Sequence, residues 1–322
     1  MSTAPDVSIV VVSYNTKELT LSCIDSIQRT AGDVSYELLV VDNASQDGSA
    51  AAIAQRFPGL SLLELPENAG FARANNLAAR RARGRWLLLL NPDTRMLAGS
   101  LRALLDFAAA RPRDGIFGGR TLFDDGSLNP TSCWRRPTAW SQFCMGSGLS
   151  SLFRRHPWFD PESMGSWARD TEREVDIVSG CLFLIRRELW DSLGGFDAGF
   201  FMYGEDFDLC LRARRAGARC RICPQAVVVH FGGASERVRS QKMVSLFRTR
   251  ARLYGKHASG PLSRFGVAML DLWAFSRMSA FWILRRSGQE RARHSHAAWR
   301  EVWARRAEWH RERGEGARTR PA

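Results

Sequence analysis

The sequence predicts an α/β chain on a mostly parallel, doubly wound central sheet, and three observations carry that expectation. Short aliphatic runs alternate with stretches that are apolar at every third or fourth position, as far as Arg120. The runs show little polar alternation, as strands covered on both faces require. Polar clusters follow directly on them, where an open α/β sheet binds its ligands.

Val7–Val12 reads as the first strand, and Lys17–Arg29 as a helix with Leu21, Ile24 and Ile27 on one face. Glu37–Val41 is a second buried strand. Asp47–Phe57 is a helix opened by Ser45 or Asp47, both of residue types that cap well. Leu60–Leu65 gives a third strand, Gly70–Arg83 an Ala- and Arg-rich helix, and Arg85–Leu90 a fourth strand. Leu97–Ala110 is helical, and a strand follows at Gly115–Arg120.

From Phe123 to Arg173 the rhythm is lost to Trp, Pro, Gly, Ser and Arg, which reads as long loops with short helices. An apolar run returns at Val175–Ile185. Helices follow at Arg187–Ser192 and Asp206–Ala216, the second ended by Gly217, and Ala226–Val229 is a last short strand. Leu262–Leu284 is apolar and long enough to span a bilayer, yet Arg264, Asp271 and Arg277 interrupt it. Its Trp and Phe residues suit a helix lying in a membrane interface, with a core helix as the alternative. Trp299, Trp303 and the surrounding arginines continue as a basic amphipathic helix. The expected division is a catalytic domain over 1–257 and a basic helical tail over 258–322.

The chain has 322 residues and carries 46 Lys+Arg against 33 Asp+Glu, a formal charge of +13. With 45% hydrophobic residues it is neither a disordered chain nor a multi-span membrane protein. Residues 285–322 hold eleven Arg and five Glu, so their partner is expected to be an anionic surface. Met1–Asp6 has no basic start or apolar stretch, which predicts no secretory leader. Seven Cys without regular spacing fit reduced thiols better than a disulfide framework, and Cys220-x-x-Cys223 lacks the second pair a zinc site needs.

Three strand ends present amides or carboxylates: Ser13-Tyr14-Asn15, then Asp42-Asn43-Ala44-Ser45-Gln46-Asp47-Gly48, then Asn91-Pro92-Asp93-Thr94. Two of them open helices whose amide dipoles favour anions, so a phosphorylated ligand fits this edge. No G-x-G-x-x-G follows the first strand and no P-loop occurs, which removes the common dinucleotide and triphosphate sites. Asp93 is either a turn residue or a carboxylate that bridges a hard cation to diphosphate oxygens. In Glu205-Asp206-Phe207-Asp208, three acids open a helix. Capping explains them in part, and a general base beside an acceptor hydroxyl explains them further. Helical spacing sends Glu205 and Asp208 to one face and Asp206 to another. His230 ends the last strand before Gly232-Gly233, as a metal ligand would.

Taken in order, S-Y-N, V-V-D-N-A-S-x-D-G-S, E-N-A-G-F-A-x-A-N-N, L-L-N-P-D-T, S-G-C, G-G-F-D…F-F-M-Y-x-E-D-x-D-L and V-V-V-H resemble the motifs of family-2 glycosyltransferases of the GT-A fold. Within that family the chain is most similar to bacterial rhamnosyltransferases that act on lipid-linked cell-wall or O-antigen precursors. The resemblance spans residues 7 to 257. It implies a Rossmann-like GT-A domain and inverting transfer from a nucleoside diphosphate sugar, with dTDP-L-rhamnose favoured.

By position, the resemblance implies that Ser13, Tyr14, Asn15, Asp42, Asn43, Asn68, Gly70, Asn75, Asn91 and Asp93 line the nucleotide-sugar site. Asp93 and His230 would bind Mg²⁺ or Mn²⁺. Asp206, beside Glu205, would act as general base, and Arg135, Arg136, Ser179, Gly180 and Asp208 would face the acceptor. Asn91 replaces the first carboxylate of the usual D-x-D, Asn75 stands where many branches have Arg, and Ala198-Gly199 stands where many relatives have Glu.

The expected acceptor is a polyprenyl-diphosphate-linked or polysaccharide hydroxyl, which the basic run Arg248, Arg252, Lys256 and His257 could also hold by its diphosphate. The expected location is cytoplasmic, peripheral on the inner face of the membrane, with no nucleic-acid partner. The competing expectation is a non-catalytic nucleotide-sugar-binding scaffold of a membrane assembly.

Overall fold

The computed structural model describes residues 4–232, 239–287 and 290–320. The chain divides into two packing units, one formed by residues 1–134 and 167–235, the other by 135–166 and 236–322.

The first unit is built on a nine-stranded sheet. Its leading half is β1 (Val7–Ser13), α1 (Lys17–Thr30), β2 (Tyr36–Asp42), α2 (Ser49–Arg56), β3 (Ser61–Glu64), α3 (Phe71–Ala79) and β4 (Trp86–Leu90). Next come β5 (Thr94–Met96), α4 (Ser100–Ala109), β6 (Asp114–Leu122) and β7 (Cys133–Trp134). The second unit contributes α5 (Ala139–Ser147) and α6 (Leu149–Leu152), and the chain then returns to the first with β8 (Arg173–Val175), β9 (Ile177–Val178), β10 (Leu182–Arg186), α7 (Arg187–Leu193), α8 (Glu205–Arg215) and β11 (Arg219–His230).

Strand order is β3-β2-β1-β4-β10-β6-β11-β5, with β8 pairing β11 and β7 pairing β9 in a separate two-stranded ribbon. Strands β3, β2, β1 and β4 are mutually parallel, as are β6 and β11. Strand β10 enters antiparallel between β4 and β6, and β5 pairs antiparallel with β11. The sheet is therefore mostly parallel but mixed. Every residue of β1 and β4 is buried. Ile9, Val11, Leu88 and Leu90 join Ile24, Ile27 and Leu104 in one hydrophobic core, which is why these strands lack polar alternation.

Several elements differ from expectation. The last strand is not the four residues Ala226–Val229 but twelve, with a register irregularity between Cys223 and Val227 where Pro224 cannot donate to the ladder. Strand β5 precedes α4 because Thr94, Arg95 and Met96 pair with His230, Val229 and Val228. Helix α2 begins at Ser49, where Asp47 accepts the Ser49 N–H at 3.1 Å and the Lys17 N–H at 2.9 Å, anchoring the starts of two helices. Ser45 accepts the Asn15 N–H instead. All seven cysteines are buried and unbridged, Cys220 and Cys223 lying along β11.

The second unit is helical: α5 and α6, then α9 (Arg239–His257), α10 (Gly260–Leu284), α11 (Glu290–Ala304) and α12 (Arg306–Arg318). Its core is Val244, Phe247, Tyr254, Val267, Leu270 and Trp309 with their neighbours. Residues 236–257 and 135–166 thus pack with the tail, so this unit starts earlier than residue 258 and draws on the middle segment. The tail itself is folded back, with Glu312 accepting from Arg248 and Arg252, and Asp271 accepting from Trp309 Nε1 and pairing with His310, both at 2.9 Å.

Candidate active site

Three strand-end loops are knitted together by side chains the motifs supply. The Asn43 amide donates to Asn68 Oδ1 at 2.8 Å and its oxygen accepts the Ala69 N–H at 2.9 Å. Asn68 Oδ1 also accepts the Gly70 N–H. Asn15, at φ +51°, accepts the Gln46 N–H at 2.7 Å. Asp42 is buried: one carboxylate oxygen accepts the Ser45 N–H at 3.0 Å, and the other has no partner. An unpartnered buried acceptor suits a ligand donor such as a nucleobase N–H.

Ser13 is spent internally, its hydroxyl 2.9 Å from that of Thr20, whereas Tyr14 is exposed. Asn75 is buried and its amide donates to Phe71 O at 2.9 Å, back along its own helix.

The turn Ser179-Gly180-Cys181 between β9 and β10 joins the two acidic clusters. Cys181 O accepts the Asn91 N–H at 3.3 Å, while the Gly180 N–H donates to Asp206 Oδ2 at 3.0 Å. Burial pushes the Cys181 thiol up to about 12, and the charges of both Asp93 and Asp206 add to that rise. Both carboxylates therefore lie within electrostatic reach of one sulfur.

On the Asp93 side, β5 pairs with the end of β11 so that His230 lies opposite Thr94, and the Phe231 N–H donates to Asp93 O at 3.0 Å. This register sets His230 Nε2 3.3 Å from Asp93 Oδ1. His230 Nδ1 is buried without a partner. One hard oxygen and one imidazole nitrogen, side by side at a strand end, fit two positions of a divalent cation. Among the described residues no three Asp, Glu, His or Cys side chains cluster as a complete cage, so remaining ligands would come from diphosphate and water.

Asp206 is held at both oxygens, by Gly180 N–H and by Phe207 N–H at 2.8 Å. Burial raises its carboxyl above the ordinary range, and these backbone donors oppose the rise. Glu205 is buried with Oε2 unpartnered. Burial first, then the neighbouring Asp206 charge, pushes its carboxyl well above the ordinary range. Both carboxyls are thus raised at one helix start, that of Glu205 more strongly.

Asp208, expected to face the acceptor, does not. Its carboxylate has no exposed surface and bonds Arg212 Nε at 2.7 Å, while Arg212 also donates to the carbonyls of Leu193 and Gly195. It anchors α8 to the preceding loop. Ser179 Oγ accepts the Cys181 N–H at 3.3 Å and shapes the turn. Arg135 and Arg136 are exposed and belong to the second unit.

Two contacts had no signal in residue type alone. Gly70, at φ +81°, approaches Phe201 so closely that an added Cβ would stand 2.6 Å from Phe201 O, and the Phe71 N–H donates to that same oxygen at 2.8 Å. Asn76 exchanges hydrogen bonds with Phe196, donating to its carbonyl at 2.8 Å and accepting its N–H at 2.9 Å. Together they lock the start of α3 to the loop that delivers Glu205 and Asp206.

A mostly parallel sheet with amides and carboxylates gathered at its carboxyl edge defines the class: a GT-A fold. The chain belongs to Glycosyl transferase family 2, which residues 8–194 match. It is 33% identical over 207 residues to the N-acetylglucosaminyl-diphospho-decaprenol L-rhamnosyltransferase of Mycobacterium tuberculosis, covering 60% of this chain and 66% of that one. It is 29% identical over 234 residues to rhamnosyltransferase WbbL of Escherichia coli K12, covering 70% of this chain and 83% of that one. The fold is shared with a mannosyltransferase of Pyrobaculum calidifontis solved with GDP-Man and Mn²⁺. There the TM-score is 0.55 at 21% identity, over 98% of this chain and 88% of that one. It is also shared with GalNAc-T7 solved with UDP, GalNAc and Mn²⁺, at TM-score 0.54 and 13% identity, over 83% and 55%.

Proposed function

We propose that this chain is an inverting, cation-assisted rhamnosyltransferase. Its donor is dTDP-L-rhamnose, and its acceptor is a hydroxyl of a polyprenyl-diphosphate-linked or polysaccharide glycan on the cytoplasmic face of a membrane. The observation that carries the reading is the Ser179-Gly180-Cys181 turn, which couples the Asn91–Asp93 loop to Asp206. The named relatives support the sugar and the lipid-linked acceptor.

Asp42 receives the base through its unpartnered oxygen, and Asn91 offers an amide to the ribose. Asp93 and His230 would hold Mg²⁺ or Mn²⁺, which when bound would supply positive charge to the diphosphate. Gly180 and Phe207 fix the Asp206 carboxylate by its two oxygens, so its orientation is set before the acceptor arrives. As the acceptor oxygen bonds to the anomeric carbon, Asp206 takes its proton, the carbon–diphosphate bond breaks and nucleoside diphosphate leaves. Burial raises the Glu205 carboxyl further than that of Asp206, whose backbone donors oppose the rise, which favours Asp206 as the base.

Asp206→Asn tests this. The turnover rate should fall about 10²–10⁴-fold while donor affinity stays within about twofold, in a transfer assay paired with calorimetry. Parallel loss of donor affinity would make Asp206 a structural carboxylate.

A further inference from the structure

Helix α10 has two unlike faces. Gly266, Val267, Leu270 and Ala274 are buried in the second unit, whereas Phe265, Leu272, Phe275, Trp282 and Ile283 are exposed, Ile283 by 61%. Their spacing places the exposed set on one stripe that runs the length of the helix. This is the one helix among the described residues that is long and apolar enough to cross a bilayer. Yet Asp271 on it binds Trp309 and His310, and Arg277 bonds Ser151, contacts that a spanning helix would forfeit.

A second exposed apolar strip adjoins the first. Helix α5 packs along α10 where Gly146 meets Met269 and Gly266 meets Gln142. Phe265 and Leu272 are the helical neighbours of Met269. On α5 and the segment after it, Trp140, Phe143, Leu152, Phe153 and Trp158 are exposed, Leu152 by 74% and Trp158 by 71%. Nothing in the sequence of this loop-like middle segment marks it as an apolar surface.

Charge selects the occupant. The second unit carries 24 Lys+Arg against 9 Asp+Glu, a net +15, whereas the first carries 22 against 24. Arginines rim the apolar strips: Arg154 and Arg155 beside Phe153, and Arg286 and Arg285 over the Trp282 ring at 4.0 and 5.9 Å. Aliphatic and aromatic side chains framed by arginine match acyl chains beneath anionic headgroups. A second copy would set two strongly positive units face to face, and nucleic acid would leave Leu152, Leu272 and Ile283 without a partner.

We infer that the exposed faces of α10 and of the α5–α6 segment form a single seat that lies on, and does not cross, an anionic lipid bilayer. The seat deepens the reading of a membrane-borne acceptor and rests on that reading for its purpose.

The test is co-sedimentation of the full chain with phosphatidylcholine vesicles, with and without about 30% phosphatidylglycerol, at about 0.15 M salt. The wild type should pellet with the anionic vesicles and stay largely in solution with the neutral ones. The paired substitutions L272E/I283E should lower partition tenfold or more, and L152E/W158E several-fold, with far-UV circular dichroism and melting temperature unchanged. Equal binding by both variants and the wild type overturns the seat, as does retention of the wild type on vesicles through alkaline carbonate. A wild-type dimer that L272E/I283E dissociates, without vesicle binding by either, assigns the face to a second copy. Melting-temperature shifts with dTDP-rhamnose, read on the same samples, report the donor site separately, so failure of the seat and failure of the enzymatic reading are distinguishable.

Discussion

Glu205 and Asp206 are adjacent in sequence, both buried, and yet differently served by their surroundings. Asp206 has two backbone donors, whereas one Glu205 oxygen has none, and the burial of Glu205 favours its neutral form in the fold. The unfolded chain ionises Glu205 at the ordinary carboxylate value. The fold therefore holds its advantage at acidic pH and loses it as pH rises through the raised value. Glu205→Gln should remove that loss, giving a melting temperature that is higher above neutral pH and flatter from pH 5 to 9, by about 2–4 °C per kcal/mol recovered. An unchanged pH profile would show that Glu205 is not held neutral. Asp208 makes the opposite case. Asp208→Ala leaves Arg212 without its buried partner and should cost about 3 kcal/mol in denaturant unfolding, with the acceptor KM of the folded enzyme unchanged. Residue type could not separate these roles: three acids in four positions look alike until Gly180 arrives from elsewhere in the chain to hold Asp206 and Arg212, one helical turn on, takes Asp208.

Among the elements, those with long aliphatic runs or clear helical periodicity were legible. Strands β1, β2 and β4, and helices α1 and α8, lie within a few residues of where the pattern puts them. Strand β5 was not, because three residues, Thr94, Arg95 and Met96, carry no periodicity of their own and are defined by pairing with β11. The first half of β11, Arg219–Cys223 before Pro224, was lost for a similar reason, since its polar arginines do not read as a buried run. Helix α5 hides in a Trp- and Gly-rich segment. Its start is a capping box in which Thr138 and Ser141 bond each other's backbone N–H groups. At this scale Gly70 is a tight joint, since it needs a positive φ and has Phe201 O where a Cβ would stand. Gly70→Ala should cost about 1–3 kcal/mol and weaken donor binding by loosening the loop before α8. Thermal melts with and without donor check both, and an unchanged melt would mean that the two loops are not coupled there.

Over the whole molecule, the motifs and the charge divide the labour. The ordered motifs lie in a unit of nearly balanced charge, and the excess positive charge lies in the helical unit. The sequence alone placed Asp42, Asp93, Asp206 and His230 after their strands or at a helix start. It could not show that a three-residue turn ties two of their loops together, because that turn interrupts an apolar run that reads as continuous. It also read the tail as a basic helix for an anionic surface, and the structure adds that Glu308, Glu312 and Glu315 bind it back through Arg248 and Arg252. Deleting residues 262–322 would therefore strip core residues such as Leu270 and Trp309 and unfold the unit, which makes surface substitutions the sounder probe.

On the proposed function, Asp93 and His230, set 3.3 Å apart by the β5–β11 register, assist donor binding through a divalent cation. Calorimetric titration of dTDP-rhamnose into the full chain, with and without Mn²⁺, for the wild type beside Asp93→Asn, tests it most directly. The cation should raise wild-type donor affinity at least about tenfold, or about 1.4 kcal/mol, and leave Asp93→Asn unaffected. A wild-type affinity indifferent to the cation, or an equal gain in Asp93→Asn, would contradict it.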